Sequence, residues 1–353
     1  MVEWCGDFWM SIMRSCRKAI ARIVFGDAYL PQAFSIGLPD PQAEVAVWLH
    51  GLGAPLDVTD RHAMACADPF TVCIGFNAGE YPFGDILQAA SLQFCERAGR
   101  KQLLAEIGLD TKSATSLPSD GIKLILLRAR YSRNYCLPRR YLFAHYCRYR
   151  YSLWRKVDIP GRKMTFLERR AAMVMFIRPH PVVLVSLCNK DGGNIFPMNI
   201  MGDLGGRYFA LALKESKLAA HLVERAGRVA IGNVPLAQTS TAFKLGPNHR
   251  KPFIDWNELP FATKLSSVFG IPVPTFSHRV REIEVETVHR LGSHMFFVTR
   301  LVSDEMFPEP AGLCIVHGFY QGWRLRGRRA ELEAALLADQ CNKRGVSRDT
   351  LPL

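Results

Sequence analysis

The stretch RPHPVVLVSLCNKDGGNIFPMNIMGDLGG, residues 178–206, constrains the fold more than any other part of the chain. PVVLVSL (181–187) is apolar almost throughout, the pattern of a strand inside a barrel wall. NKDGG (189–193) supplies a tight turn in which glycine takes positive φ. NIFPMNIM (194–201) is the returning strand. Pro197 has no N–H for a ladder, so that strand belongs at a sheet edge or a bulge. Past it, Asn199, Gly202 and Asp203 leave backbone N–H and C=O groups at a rim.

The same texture of short strands and turns runs from Phe166 to about Trp323. The tail after it reads as one helix that stops before Gly345, then a loose end. In the first half, AEVAVWLHGL (43–52), FTVCIGF (70–76) and GIKLILLRAR (121–130) read as strands. GDILQAASLQFCERAGRKQLLAEIGL (84–109) reads as a helix or helix pair ending at Gly108. The expected organisation is an α+β N-terminal domain (1–127), a connector (128–165), a mainly β barrel (166–323) and a C-terminal helix and tail (324–353).

The connector is the most basic part. Residues 128–163 hold eleven Arg or Lys, eight aromatics and a single acid, Asp158. Such a segment suits a helix laid across two domains, contact with an anionic membrane surface, or stacking on single-stranded nucleic acid. Nucleic acid is disfavoured, because no RNA-binding strand motif accompanies it. The net charge of +13 fits anionic partners generally, phosphorylated cofactors included. The N-terminal residues 1–25 have helical spacing of Trp4, Phe8 and Ile12, docked on the domain or on a membrane surface. No secretory signal and no uncharged run of membrane-spanning length is seen, so a cytoplasmic protein, peripheral to a membrane at most, is expected.

Several chemistries are excluded by spacing. The ten cysteines form no Cys-x-x-Cys pair and no zinc-like grouping with His, and read as reduced, buried thiols. VWLHGLGAP (47–55) looks like an oxyanion-hole segment, but no Gly-x-Ser-x-Gly elbow exists to expose a nucleophile. A Rossmann glycine motif, a P-loop and His-Glu-x-x-His are absent too.

From Arg178 onward the chain resembles the flavin reductase-like proteins with the FMN-binding split-barrel fold. The matching text is RPHPVVLVSLCNKDGGNIFPMNIMGDLG, then YFALALKESKLAAHLVERAGRVAIGNVP (208–235), FKLGPNHRKPFIDW (243–256), LGSHMFFVTRL within 274–305, and LCIVHGFYQGW (313–323). The resemblance covers about 166 to 323 and implies a mainly β split barrel with flanking helices. It implies FMN or FAD as cofactor, NADH or NADPH as electron donor, and a homodimer whose sites borrow residues from the partner subunit. Asn199, Ile200, Met201, Gly202 and Asp203 would meet the flavin ring through backbone groups. Lys214, Ser216 and Lys217 would hold the phosphate, with Ser216 as helix N-cap; the alternative is a plain capped helix with two surface lysines. His294 would lie near the flavin and the nicotinamide, or simply be packed. No catalytic base is assigned, because hydride transfer is cofactor chemistry. The function expected is an NAD(P)H-dependent flavin reductase-like oxidoreductase; the alternative is a non-catalytic flavin-binding or scaffold protein docked through its basic connector.

Overall fold

The computed structural model describes residues 33–51, 53–77, 79–80, 90–97, 101–155, 164–189, 192–307 and 311–326. The helices expected in 1–25 and in the C-terminal tail lie outside the described residues. The chain is mainly β, with curled half-barrel sheets and flanking helices.

The first half begins with β1 (Ala33–Leu38), followed by β2 (Val45–His50), β3 (Leu56–Asp57), β4 (His62–Ala67) and β5 (Phe70–Asn77). It continues with β6 (Ser91–Glu96), β7 (Leu103–Leu117) and β8 (Ile122–Asn134). Strands β2 to β8 form one sheet in the order β3-β2-β6-β7-β8-β5-β4. The strands expected near 43–52, 70–76 and 121–130 are β2, β5 and β8. The helix expected over 84–109 is overturned for the described residues, which form β6 and β7 instead. Nor is the described part of this half α+β: it is a β-sheet. Its apolar spacing fits helix and strand alike, and cross-strand pairing to β2 and β8 decides the matter. Gly108 ends no helix; a Cβ there would collide with the Tyr131 ring on the neighbouring strand.

Two helices bridge the halves, α1 (Arg139–Arg155) and α2 (Phe166–Met175). Thr165 and Glu168 form a capping box that starts α2. The expected connector is not one segment: 128–134 are the end of β8, paired with β5 and β7, and α1 follows after Pro138. This helix is seated through buried Leu142 and His145, the latter's ring 4.6 Å from that of Phe319. Phe143, on the same helix, is 72% exposed.

The second half comprises β9 (His180–Pro181), β10 (Val183–Asn189), β11 (Gly192–Met198), β12 (Met201–Gly205), β13 (Tyr208–Lys214), α3 (Leu218–Ala226) and β14 (Arg228–Asn233). Then follow α4 (Thr239–Lys244), the short pair β15 (Thr263–Leu265) and β16 (Pro272–Pro274), β17 (Arg279–Leu291), β18 (His294–Met306), β19 (Gly312–His317) and α5 (Gly318–Arg324). Its main sheet has the order β11-β10-β14-β17-β18-β13-β12. β11, carrying Pro197, is an edge strand, as the missing N–H requires. β19 leaves this sheet and pairs with both β1 and β9, tying the two halves together.

Counted within its own half, each seven-strand sheet has the same order: second, first, fifth, sixth, seventh, fourth, third. Every neighbouring pair in both is antiparallel. Registers agree as well. Thr71 to Asn77 pair with Arg128 to Ile122, and Tyr208 to Lys214 pair with Arg300 to His294. One bulge interrupts β4 between Met64 and Cys66, and one interrupts β12 between Asp203 and Gly205, at matching places. The molecule is two split barrels of one topology in a single chain.

The barrels pack through β4 and β5 against β12 and β13, with β18 also on β4. Here β4, β5 and β13 are buried on both faces, which explains their near-continuous apolar text, while β12 is mostly half-buried. In β13, Phe209, Leu211 and Leu213 fill the interior of the second barrel. Ala210 and Ala212, on the other face, join the core shared with the first barrel. Small residues on that seam let the backbones approach: a Cβ on Gly202 would sit 2.8 Å from the His62 carbonyl oxygen.

Candidate functional site

Strand β13 ends at Lys214, directly opposite His294 at the start of β18. The chain then turns, with the Lys217 N–H donating to the Lys214 C=O at 2.9 Å, and α3 begins. Ser216, expected as the N-cap, is exposed in this turn; the N-cap is Lys217, and no side chain caps the helix. The first-turn N–H groups of α3 therefore take no side-chain cap, and the helix end carries partial positive charge. The turn is fastened to the β17–β18 turn by the Glu215 N–H donating to the Ser293 C=O at 3.1 Å.

His294 is buried, its Nδ1 2.8 Å from Ser293 Oγ. Burial, and after it the charge of Lys214, push its pKa down to about 4, so the ring is neutral at physiological pH. The first barrel closes over this place. The Asp68 N–H donates to Ser293 Oγ at 3.2 Å, and the Ser293 N–H donates to the Asp68 C=O at 2.8 Å. The Ala67 N–H points at His294 Nδ1 from 3.5 Å, and the Cys66 thiol donates to the Leu291 C=O.

His249, which sequence reasoning passed over, belongs to the same neighbourhood. Its Nε2 lies 2.8 Å from the Pro197 C=O and its ring is 4.7 Å from that of Phe196. Burial lowers its pKa, the bond to Pro197 opposes that, and Lys217 and Lys214 lower it further. The only sequence signal was its position in FKLGPNHRKPFIDW, a segment without regular strands. The 66–68 turn had no signal at all, since it reaches the site across more than two hundred residues of chain.

The residues 199–203 behave differently from one another. Asn199 is buried, and its Oδ1 has no hydrogen-bond partner among the described residues. Ile200 is in the shared core, its C=O accepting from the Ala212 N–H at 3.0 Å. Continuing that register sets Asn199 beside the end of β13, near Lys214. Met201 is half-buried against the second barrel's core. Gly202 meets the first barrel at His62 and Ala63. Asp203 is 3.6 Å from the Arg281 guanidinium. The structure thus brings Lys214, Ser216, Lys217, His294 and Asn199 to one end of the second barrel. Gly202 and Asp203 lie along the seam.

Two lysines at an uncapped helix N-terminus, with a buried imidazole and a backbone turn beside them, supply the positive charge and N–H donors with which a compact anion could be held.

No family model matches the chain, and no curated protein matches it. Among solved structures it is similar to the FMN-binding protein of Thermus thermophilus, at 19% identity and TM-score 0.35, over 46% of this chain and 89% of that one. It is similar to the NADH:FAD oxidoreductase of Streptomyces globisporus, at 13% identity and TM-score 0.38, over 46% of this chain and 94% of the other. A third is the styrene monooxygenase flavin reductase of Pseudomonas putida, at 18% identity and TM-score 0.33, over 39% and 89% of the two chains.

Proposed function

We propose that the chain is an NAD(P)H-dependent oxidoreductase of the flavin reductase type, holding FMN or FAD at the junction of its two barrels. One observation supports this most. Lys214 and Lys217 flank the turn into an uncapped helix beside the buried, neutral His294. A flavin phosphate would find two cations and backbone donors there. Asn199 agrees with this: a flavin ring carries an N–H donor, which its buried, unpartnered oxygen lacks. A bound flavin supplies the hydride chemistry, taking two electrons from NADH or NADPH.

The protein's part is to bind, orient and exclude water. Ser293 and the 66–68 turn fix the His294 ring in place. His294 at about pKa 4 offers a hydrogen bond without bringing a charge at neutral pH. No residue is assigned as acid or base.

The test is a visible spectrum of the full chain incubated with FMN and desalted, followed by anaerobic NADH and then NADPH. A retained flavin band that bleaches with one nicotinamide is the expected result. Absence of a retained band, together with no NAD(P)H oxidation when FMN is supplied, would sink the reading. Lys214→Ala with Lys217→Ala should weaken FMN binding by about 1.5–3 kcal/mol for each charge-assisted hydrogen bond removed.

A further inference from the structure

The two barrels share strand order and register, so positions in one can be matched with positions in the other. Asn77 ends β5 opposite Ile122, as Lys214 ends β13 opposite His294. Three residues on, Glu80 stands where Lys217 stands. The turns themselves agree, since the Glu80 N–H donates to the Asn77 C=O at 3.1 Å and the Lys217 N–H to the Lys214 C=O at 2.9 Å.

The contacts between barrels are reciprocal. The β4–β5 turn of the first barrel, at Asp68, meets Gly292 and Ser293 between β17 and β18. Correspondingly, the β12–β13 hairpin of the second meets the turn between β7 and β8. There the Asp120 N–H donates to Tyr208 Oη at 2.7 Å, and Gly206 faces Ile122. Matched residues also touch each other: Gly202 lies against Ala63, its counterpart across the bulge register. Such self-matching contact marks a two-fold axis in a symmetric dimer, and here it relates two parts of one chain.

Chemistry at the matched turns is opposite. Lys214 is replaced by Asn77, Lys217 by Glu80 and His294 by Ile122. The Glu80 carboxylate accepts from the Asn77 N–H at 2.8 Å, from Asn77 Nδ2 at 3.1 Å and from Arg61 at 2.5 Å. An anion of the protein's own therefore occupies the first barrel's turn, where it repels a phosphate. We infer that the first barrel stands in the place of a second subunit, so that each chain builds one complete flavin site, at Lys214 and Lys217, and one closed by Glu80. This rests on the flavin reading given above and adds to it the number of sites and the element that completes the site.

Equilibrium dialysis of the full chain against FMN tests it. One FMN per chain is expected, with an affinity unchanged over about a hundredfold protein dilution, because no association of chains is needed. The charge reversal Lys217→Glu should lower affinity at least about tenfold. Glu80→Gln should leave the affinity of the Lys214 and Lys217 site as it is, because Glu80 lies at the other barrel's turn. Two FMN per chain, one per two chains, or an affinity that falls on dilution would each overturn the inference and leave the flavin reading standing. Loss of binding in Glu80→Gln with circular dichroism intact would also overturn it. No FMN bound by the parent chain, with no turnover of supplied FMN, would overturn both.

Discussion

Gly75 lies in β5 at the seam between barrels, and a Cβ added there would stand 1.8 Å from the Leu204 carbonyl oxygen and 2.9 Å from its carbon. Contact at van der Waals distance would need a retreat of about 1.5 Å, and the obstacle is backbone, which cannot rotate aside. Elsewhere in a strand, Gly→Ala stabilises by about 0.5–1 kcal/mol, because alanine has less freedom to lose. At Gly75 the sign should reverse. Overpacking of a close-packed interior costs roughly 1–3 kcal/mol, and a backbone obstacle sets the expectation at the upper end, about 3 kcal/mol. For domains of this size that corresponds to a fall of about 6–12 °C in Tm. Thermal unfolding followed by circular dichroism reads it directly. Gly270→Ala is the comparison: it has open space around it but a φ of +63°, so only the left-handed backbone cost of about 1 kcal/mol applies. If Gly75→Ala melts within about 2 °C of the parent, or above Gly270→Ala, the close seam between barrels is not there.

The buried Glu282 carboxylate accepts from Ser266 Oγ, Ser267 Oγ and the Val268 and Phe269 N–H groups, at 2.6 to 3.0 Å. Burial, the largest single influence, would raise its pKa, but the hydrogen bonds together bring it below the ordinary value. Its stabilisation is therefore present above about pH 4.3 and lost as pH falls through the lower folded value. Glu282→Gln should cost about 2–3 kcal/mol in urea unfolding at pH 7 and flatten the acid limb; an unchanged midpoint would refute this account. His294 has its folded pKa lowered to about 4. Its contribution is complete above the unfolded value of about 6.5 and declines as pH falls toward the folded one. A series of urea midpoints between those pH values should fall for the parent and fall less for His294→Gln; parallel curves would show that folding does not lower the His294 pKa. For Lys214→Ala with Lys217→Ala, FMN affinity should drop while Tm stays within about 2 °C, because neither side chain is part of a core.

Much of the second barrel was legible in its sequence. Apolar text at 181–187, the turn glycines and Pro197 led to a hairpin with an edge strand, and β10 and β11 are that hairpin. Lys214 and Lys217 could be placed at a strand-to-helix turn from the switch of periodicity after YFALALK. The N-cap could not, because a serine one residue early satisfies the same local rule. In the first barrel, β6 and β7 were unreadable as strands, since leucines at mixed spacing suit either period.

The alternation of large and small residues was present in both FTVCIGF and YFALALK, and it determined which strands could be buried on two faces. It carried no information on what would cover the small face. The kinship of the barrels was hidden because they share order, register and bulge and not side chains: Lys214 against Asn77, Lys217 against Glu80. Local chemistry along the chain determined the hairpin and the cationic turn of the second barrel and strands β2, β5 and β8 of the first, while pairing decided β6 and β7. Only the tertiary structure decided that the first barrel's hairpin closes over His294, because that contact joins residues hundreds apart and depends on shape.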